Sequence, residues 1–380
     1  MNDLIAQVKL AKEAALKLAS VDEKTKNSAL AYLAESIKEN KNEILKENKK
    51  DVEKAESKNL NESLIKRLIL NEKKLNEIIE IIGTVKKLED PIGKITEKTE
   101  LDKSLVLEKI TVPIGLIGAI FESRPDTTIQ ISSLCIKSGN AVILKGGSEA
   151  ISTNKMLVKL IKDSLKKAGI PQDSVQLIEA REEVREILKL HNYMDLIIPR
   201  GSNKFVKYIQ ENTKIPVLGH SEGICHVYVD KDADISKAIS ICFDAKCQYA
   251  AVCNAMETLL VHKDIAKKFL PLIADKYVEA KVELRGDKET RKIIKTKEAT
   301  ETDWKSEYND LVLSIKIVNS ADEAIAHINK YGSKHTDAIV TENKKTAEKF
   351  LTLVDSSSIM HNCSTRFADG FRYGKGAEVG

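Results

Sequence analysis

The chain has 380 residues, 42% hydrophobic and 31% charged, enough apolar material for two or three packed domains. That balance excludes a disordered or collagen-like chain. The 61 basic residues against 57 acidic ones leave a formal charge of +4, too small over this length to indicate nucleic-acid or membrane binding.

Residues 1 to about 90 read as helices. Leu4, Val8, Ala11, Ala15 and Leu18 recur at helical spacing, as do Ile37, Ile44, Val52 and Ala55 in a Lys/Glu background. The alternating charges of 38–58 read as a solvated helix face. Pro91-Ile92-Gly93 then breaks the pattern. From about residue 105, β-branched runs at 105–112, 114–121, 141–145, 175–178, 195–199 and 215–218 predict strands. Helical stretches at 125–137, 150–168, 181–190 and 203–212 separate most of them. A second strand series follows at 225–229, 258–262, 312–318, 337–341 and 357–361. Strand alternating with helix predicts two tandem, doubly wound α/β domains dividing near residue 225.

The six cysteines form no C-x-x-C pair and are too sparse for a disulfide framework. The first residues lack the basic and apolar regions of a signal peptide, and the longest apolar run, 112–121, is shorter than the ~20 residues of a membrane-spanning helix. A cytoplasmic protein with reduced thiols is expected.

In open α/β sheets ligands gather beyond the carboxyl ends of strands. Strand 141–144 runs into Lys145-Gly146-Gly147-Ser148-Glu149, and strand 195–198 into Pro199-Arg200-Gly201-Ser202, each opening a helix. Such turns accept anions, and two of them suit a dinucleotide, although each also reads as simple turn chemistry. Neither G-x-G-x-x-G nor a Walker A loop is present. Cys242, Cys247 and His262 have no second ligand pair and read as core, so no metal is expected. Cys253 lies among small residues in Tyr249-Ala250-Ala251-Val252-Cys253-Asn254, between a helix and a strand. A substrate could reach such a thiol, and Asn254 could donate to developing negative charge; an ordinary loop cysteine is the alternative.

Six runs carry a resemblance: VPIGLIG at 112–118, FESRPD at 121–126, KSGNAVILKGGSEA at 137–150, VCNAMETLLVH at 252–262, GSKHTDAIV at 332–340 and STRFADG at 364–370. In that order, over essentially the whole chain, they resemble the γ-glutamyl phosphate reductases, or glutamate-5-semialdehyde dehydrogenases, of the aldehyde dehydrogenase superfamily. The resemblance implies an aldehyde dehydrogenase-like α/β fold with a small oligomerisation sheet. It places a nucleotide-binding domain at 1–224, with 101–112 as an oligomerisation strand, and a catalytic domain at 225–355. A return segment then occupies 356–380. The implied activity is NADPH-dependent reduction of γ-glutamyl phosphate to glutamate 5-semialdehyde in proline biosynthesis, through a thioester on Cys253. A reductase of another acyl phosphate or of an acyl-coenzyme A, or a catalytically silent homologue, is the alternative.

By the same likeness Asn254 joins Cys253 in catalysis, Lys145 and Ser148 contact the adenosine ribose, and Gly201 and Ser202 lie beneath the pyrophosphate. Glu307 holds the nicotinamide ribose. Arg124, Ser364, Thr365 and Arg366 are candidates for the substrate's phosphate and α-carboxylate, which suit guanidinium forks. The superfamily's water-activating glutamate corresponds to Val217 in Val217-Leu218-Gly219-His220-Ser221, where no carboxylate stands, although Glu222 is near. A reductase that exchanges its acyl group with phosphate has no need of that base. The likeness also implies a homo-oligomer, dimer or tetramer, functional coupling to glutamate 5-kinase, and the stand-alone form of the enzyme rather than one fused to that kinase. Family members continue through a basic, glycine-rich segment beyond the position of Gly380. A chain ending there is expected to leave an unpaired edge beside 105–112.

Overall fold

The computed structural model describes residues 2–58, 60, 62–122, 124–179, 183–201, 203–219 and 222–375. They fall into two compact units, one running to Gly219 and the other from His220 to Lys375. The described strands, in chain order, are β1 (Ile95–Asp102), β2 (Leu105–Ile110), β3 (Leu116–Ile120), β4 (Ala141–Lys145), β5 (Val175–Leu177) and β6 (Leu196–Pro199) in the first unit. The second unit holds β7 (Cys225–Val229), β8 (Met256–His262), β9 (Glu283–Gly286), β10 (Lys297–Glu298), β11 (Val312–Val318), β12 (Thr336–Val340) and β13 (Ser358–His361).

In the first unit a parallel sheet runs in the order β5-β4-β3-β6. Strand side chains alternate between faces, and two helical layers exploit this. Leu116, Ile120, Ala141 and Ile143 pack with Leu4, Val8, Ala11 and Ala15 of the Asn2–Leu18 helix. Ile117, Ala119, Val142 and Leu144 face Leu30, Leu33, Ile37 and Ile78 from the helices Glu23–Glu39 and Glu72–Lys87. Two residues depart from the solvated face expected of 38–58. Buried Asn48 bonds the Leu68 carbonyl and the Leu70 amide. Buried Asp51 accepts from the Ser152 and Thr153 amides and the Thr153 hydroxyl. It thereby caps the Ile151–Lys167 helix.

The charged stretch after Pro91 carries a strand the sequence pattern hides. Ile95–Asp102 has no apolar alternation because both faces of the antiparallel β1–β2 ribbon are exposed. Residues 215–218, expected as a strand, make a single bridge between Val217 and Ile197. Pro216 has no amide to extend the ladder.

The second unit is a parallel sheet in the order β10-β9-β11-β8-β7-β12-β13. Val227, Val229, Leu259 and Val261 face Phe269, Leu270 and Ile273 of the Lys263–Glu279 helix. Tyr228, Leu260 and Ile339 face Ile325, Ile328 and Phe350 on the other side. The short strands β9 and β10 are missing from the sequence reading, since Glu283, Arg285, Lys297 and Glu298 give them a polar pattern. The described part of 356–380 stays with this unit: Thr336, Asp337, Ala338 and Ile339 of β12 pair with β13. Gly376–Gly380 lie outside the described residues.

His327 is buried against Trp304, Tyr331 and His226. Burial above all, then the charges of His226, Lys316 and Lys330, pushes its imidazole down to about 2 from an ordinary 6.5. The folded value lies below the unfolded one, so this stability is present above pH 6.5 and is lost as pH falls toward 2. The slope reaches roughly 1.4 kcal/mol per pH unit. Thermal melts from pH 7 to 4.5 are therefore expected to show a smaller loss of Tm for His327→Phe than for the parent. Parallel losses would contradict this.

Candidate active site

In the first unit the carboxyl ends of β3, β4 and β6 are tied together. The Phe121 amide donates to the Lys145 carbonyl at 3.0 Å, and the Arg200 amide to the Ile120 carbonyl at 2.7 Å. This collects Lys145, Ser148 and Gly201 at one sheet edge. Lys145 is buried, its Nζ 2.6 Å from the Gly146 carbonyl. Ser148 opens a short 3-10 turn. Gly146 packs against buried Asn154, and a Cβ there would lie 2.2 Å from the Asn154 Nδ2. Asp51, by contrast, takes the amides at the start of the Ile151–Lys167 helix, so the anion affinity expected of that helix end is met inside the protein. Arg124 pairs with Asp126 at 3.0 Å at the start of the Pro125–Lys137 helix. Ser202, with its neighbours in the motifs, Ser123, His220 and Ser221, lies outside the described residues.

In the second unit the candidate residues gather at the other end of the strands. Cys253, Glu307 and Gly223 precede β8, β11 and β7, so they meet at the amino edge of the sheet. The loop that carries Cys253 leaves the Ile235–Cys247 helix and enters β8 at Met256. The Val252 carbonyl accepts from the Ala255 amide at 3.0 Å, which makes a tight turn around Cys253. Cys225 donates its S–H to the Cys253 carbonyl at 3.2 Å. Gly223 lies against the same backbone: a Cβ there would be 2.1 Å from the Cys253 carbonyl oxygen and 2.5 Å from its Cα. The Gly223 amide in turn donates to the half-buried Glu307 carboxylate. Burial raises Glu307, the charge of Glu222 adds to that, and the hydrogen bonds from Gly223 and Asn309 oppose it.

Asn254 is buried and bonded on both sides of its amide. Its Nδ2 donates to the Ala368 carbonyl at 2.8 Å, and its Oδ1 accepts from Arg366. Arg366 also donates from Nε to Gln248 Oε1 at 3.0 Å. The guanidinium thus straps both ends of the Cys253 loop, a role the sequence does not disclose. Ser364 caps the turn that carries Arg366, accepting from its amide at 3.2 Å. Thr365 is buried, with no hydrogen-bond partner for its hydroxyl among the described residues. The remaining thiols of this unit are poor nucleophiles. Burial pushes Cys225 and Cys242 well up, half-buried Cys247 to about 11, and partly buried Cys363 upward as well.

A thiol on a braced loop, a carboxylate one glycine away from it and two parallel-sheet units define a class. The chain matches the aldehyde dehydrogenase family over residues 1–303 and belongs to it. Within that family it belongs with the γ-glutamyl phosphate reductases. It is 56% identical to the γ-glutamyl phosphate reductase of Nostoc punctiforme over 380 residues, all of this chain and 87% of the relative. The crystal structure of γ-glutamyl phosphate reductase from Thermotoga maritima superposes with a TM-score of 0.97 at 42% identity, covering 99% of this chain and 92% of that one. A glyceraldehyde-3-phosphate dehydrogenase from Methanocaldococcus jannaschii, solved in complex with NADP, shares the fold at 20% identity. Its TM-score is 0.67, with 97% of this chain and 87% of that one covered. No helix among the described residues is long and apolar enough to cross a membrane.

Proposed function

We propose that this chain reduces γ-glutamyl phosphate to glutamate 5-semialdehyde with NADPH, releasing phosphate, and that Cys253 is the nucleophile. The observation that carries the reading is Cys253 on a turn braced by Gly223, Cys225 and Arg366, in a chain 56% identical to a γ-glutamyl phosphate reductase. The Cys253 thiolate attacks the acyl carbon; the C–S bond forms as the bond to the phosphate oxygen breaks. Asn254 has a second amide hydrogen beyond the one on Ala368, and it serves the negative charge developing on the acyl oxygen. Bound NADPH supplies the hydride that reduces the resulting thioester. The C–S bond then breaks, releasing the aldehyde and returning the thiolate.

Lys145, Ser148, Gly201 and Ser202 are assigned to the nucleotide and Glu307 to the nicotinamide ribose. The strand ends gathered around Lys145 and Gly201 support the first assignment. Arg124, Ser364, Thr365 and Arg366 are assigned to the substrate's anionic groups. Arg366 keeps guanidinium N–H groups beyond the two bonded to Gln248 and Asn254. The exposed Leu101, Leu105, Leu107 and Ile110 of the β1–β2 ribbon support a homo-oligomer assembled through it. The acyl phosphate must come from a kinase acting on a carboxylate, which gives functional coupling to glutamate 5-kinase its chemical sense.

The test is an absorbance assay run in reverse with glutamate semialdehyde and NADP. NADPH formation is expected with phosphate or arsenate as acceptor and not with coenzyme A. Coenzyme A-dependent turnover without phosphate would replace this reading with an acyl-coenzyme A reductase.

A further inference from the structure

A buried charged pair lies at the foot of the Cys253 loop. Lys246, in the last turn of the Ile235–Cys247 helix, and Glu257, second residue of β8, are both fully buried. Their Nζ–Oε2 distance is 2.6 Å. The loop that carries Cys253 leaves at one partner and returns at the other, so the pair closes its base. Removing two charges from water costs more than such a pair commonly returns, and apolar residues of the same volume would serve stability as well. Something beyond stability is therefore worth seeking.

Glu257 has a second oxygen. Its Oε1 accepts from the Asn309 amide at 3.3 Å. Asn309 has a φ of +53°, a left-handed conformation that few side chains adopt and that surroundings must hold. It stands two residues after Glu307. Between them, the Tyr308 hydroxyl donates to Asp303 at 2.8 Å. The Tyr308 ring has the Arg285 guanidinium 5.1 Å from its centre and the Lys246 ammonium at 6.0 Å. Glu307 takes the Gly223 amide, and Gly223 abuts the Cys253 backbone. The links form a closed ring: Cys253, Gly223, Glu307, Asn309, Glu257 and back through the loop to Cys253.

We propose that Glu257, charge-paired with Lys246, is a positioning residue that fixes the 307–309 segment, and with it the Glu307 carboxylate, relative to the Cys253 loop. The proposal rests on Glu307 holding the nicotinamide ribose, as read above. One buried carboxylate then sets the spacing between the nucleophile and the group that orients the hydride donor. It touches neither substrate nor cofactor.

Removing Glu257 alone would leave Lys246 charged and buried, so the test uses double variants. In K246M/E257Q the charges are gone but an amide oxygen can still accept from Asn309. In K246M/E257L the acceptor is gone as well. With both proteins folded by circular dichroism, K246M/E257Q is expected to keep kcat/KM for NADPH within about threefold of the parent. K246M/E257L is expected to lose about 10–100-fold, the scale of a misplaced reacting group. Alkylation of Cys253 by iodoacetamide in the absence of nucleotide should differ little between the two, since the defect lies on the cofactor side. Equal kcat/KM in the two variants overturns the proposal. If K246M/E257L does not fold, hydrogen exchange in the parent protein decides: the Asn309 amide should be protected, and exchange at the rate of an open loop overturns the proposal. The reading beneath it fails differently. A Glu307→Gln variant with the parent's KM for NADPH would remove the cofactor role of Glu307, and with it the purpose assigned to Glu257.

Discussion

Cys253→Ser is expected to lower the rate of acyl-phosphate reduction by roughly 10³-fold or more while NADPH still binds. A neutral serine hydroxyl is a far weaker nucleophile than a thiolate, and no other thiol of the second unit can take its place. Cys225 and Cys242 are buried with raised values, Cys225 gives its hydrogen to the Cys253 carbonyl, and burial raises Cys363 too. Cys247→Ser is the matching control. Its thiol is half-buried and raised to about 11, so its loss should leave most of the activity. Stopped-flow NADPH oxidation, with nucleotide binding followed by fluorescence, separates the two effects. Comparable losses in both folded variants would remove Cys253 as the nucleophile.

Gly223→Ala is expected to cost about 10²-fold in kcat/KM although Gly223 has no side chain to contribute. The added methyl carbon would lie 2.1 Å from the Cys253 carbonyl oxygen and 2.5 Å from its Cα. Those are backbone atoms in a turn already held by the Val252–Ala255 hydrogen bond and by Cys225, so no flexible side chain can swing aside. The nucleophile's backbone must move, and the Gly223 amide that serves Glu307 moves with it. Overpacking of this kind also costs about 1–3 kcal/mol of stability. Steady-state kinetics on protein shown to be folded decides the matter. A folded Gly223→Ala with the parent's kcat/KM would show that this contact does not place Cys253.

The sequence discloses the parts of this site that are local and leaves hidden those that the fold brings from afar. Cys253 stands out because small residues surround it between a helix and a strand. Lys145 and Gly146 stand out because a clean apolar strand ends in a small-residue turn. Gly223 is 30 positions from Cys253 and looks like any glycine before a strand; only the register of β7 beside β8 brings it against the thiol's backbone. Glu257 looks like one residue of a strand, and its pairing with Lys246 requires the loop to close. Arg366 is legible as an anion binder, yet the structure commits two of its donors to Gln248 and Asn254. Asp51 sits in a Lys/Glu-rich helix whose charge pattern suggests solvent, and it is buried because the Ile151–Lys167 helix needs a cap. At the level of fold, the alternating apolar runs are legible wherever a strand is buried. Strands β1 and β10 escape because their exposed positions accept charged residues, and β9, second from the sheet edge, because Glu283 and Arg285 alternate with only two buried residues. The rule that ligands lie at carboxyl strand ends leads to Lys145 and Gly201 in the first unit and away from Cys253, which precedes its strand at the amino edge of the second unit's sheet.

The central claim is that an acyl group passes through Cys253 and leaves to phosphate rather than to water. By the resemblance, Val217 stands where the superfamily places its water-activating glutamate, so the acyl-thioester is expected to wait for phosphate. The direct measurement is a rapid-mixing experiment with glutamate semialdehyde and NADP in phosphate-free buffer, followed by mass analysis of the quenched protein. About one NADPH per active site should form in a burst, with the glutamyl group found on the peptide carrying Cys253, and added phosphate should restore steady turnover. Sustained phosphate-independent turnover yielding glutamate, with no acyl group on Cys253, would contradict the account.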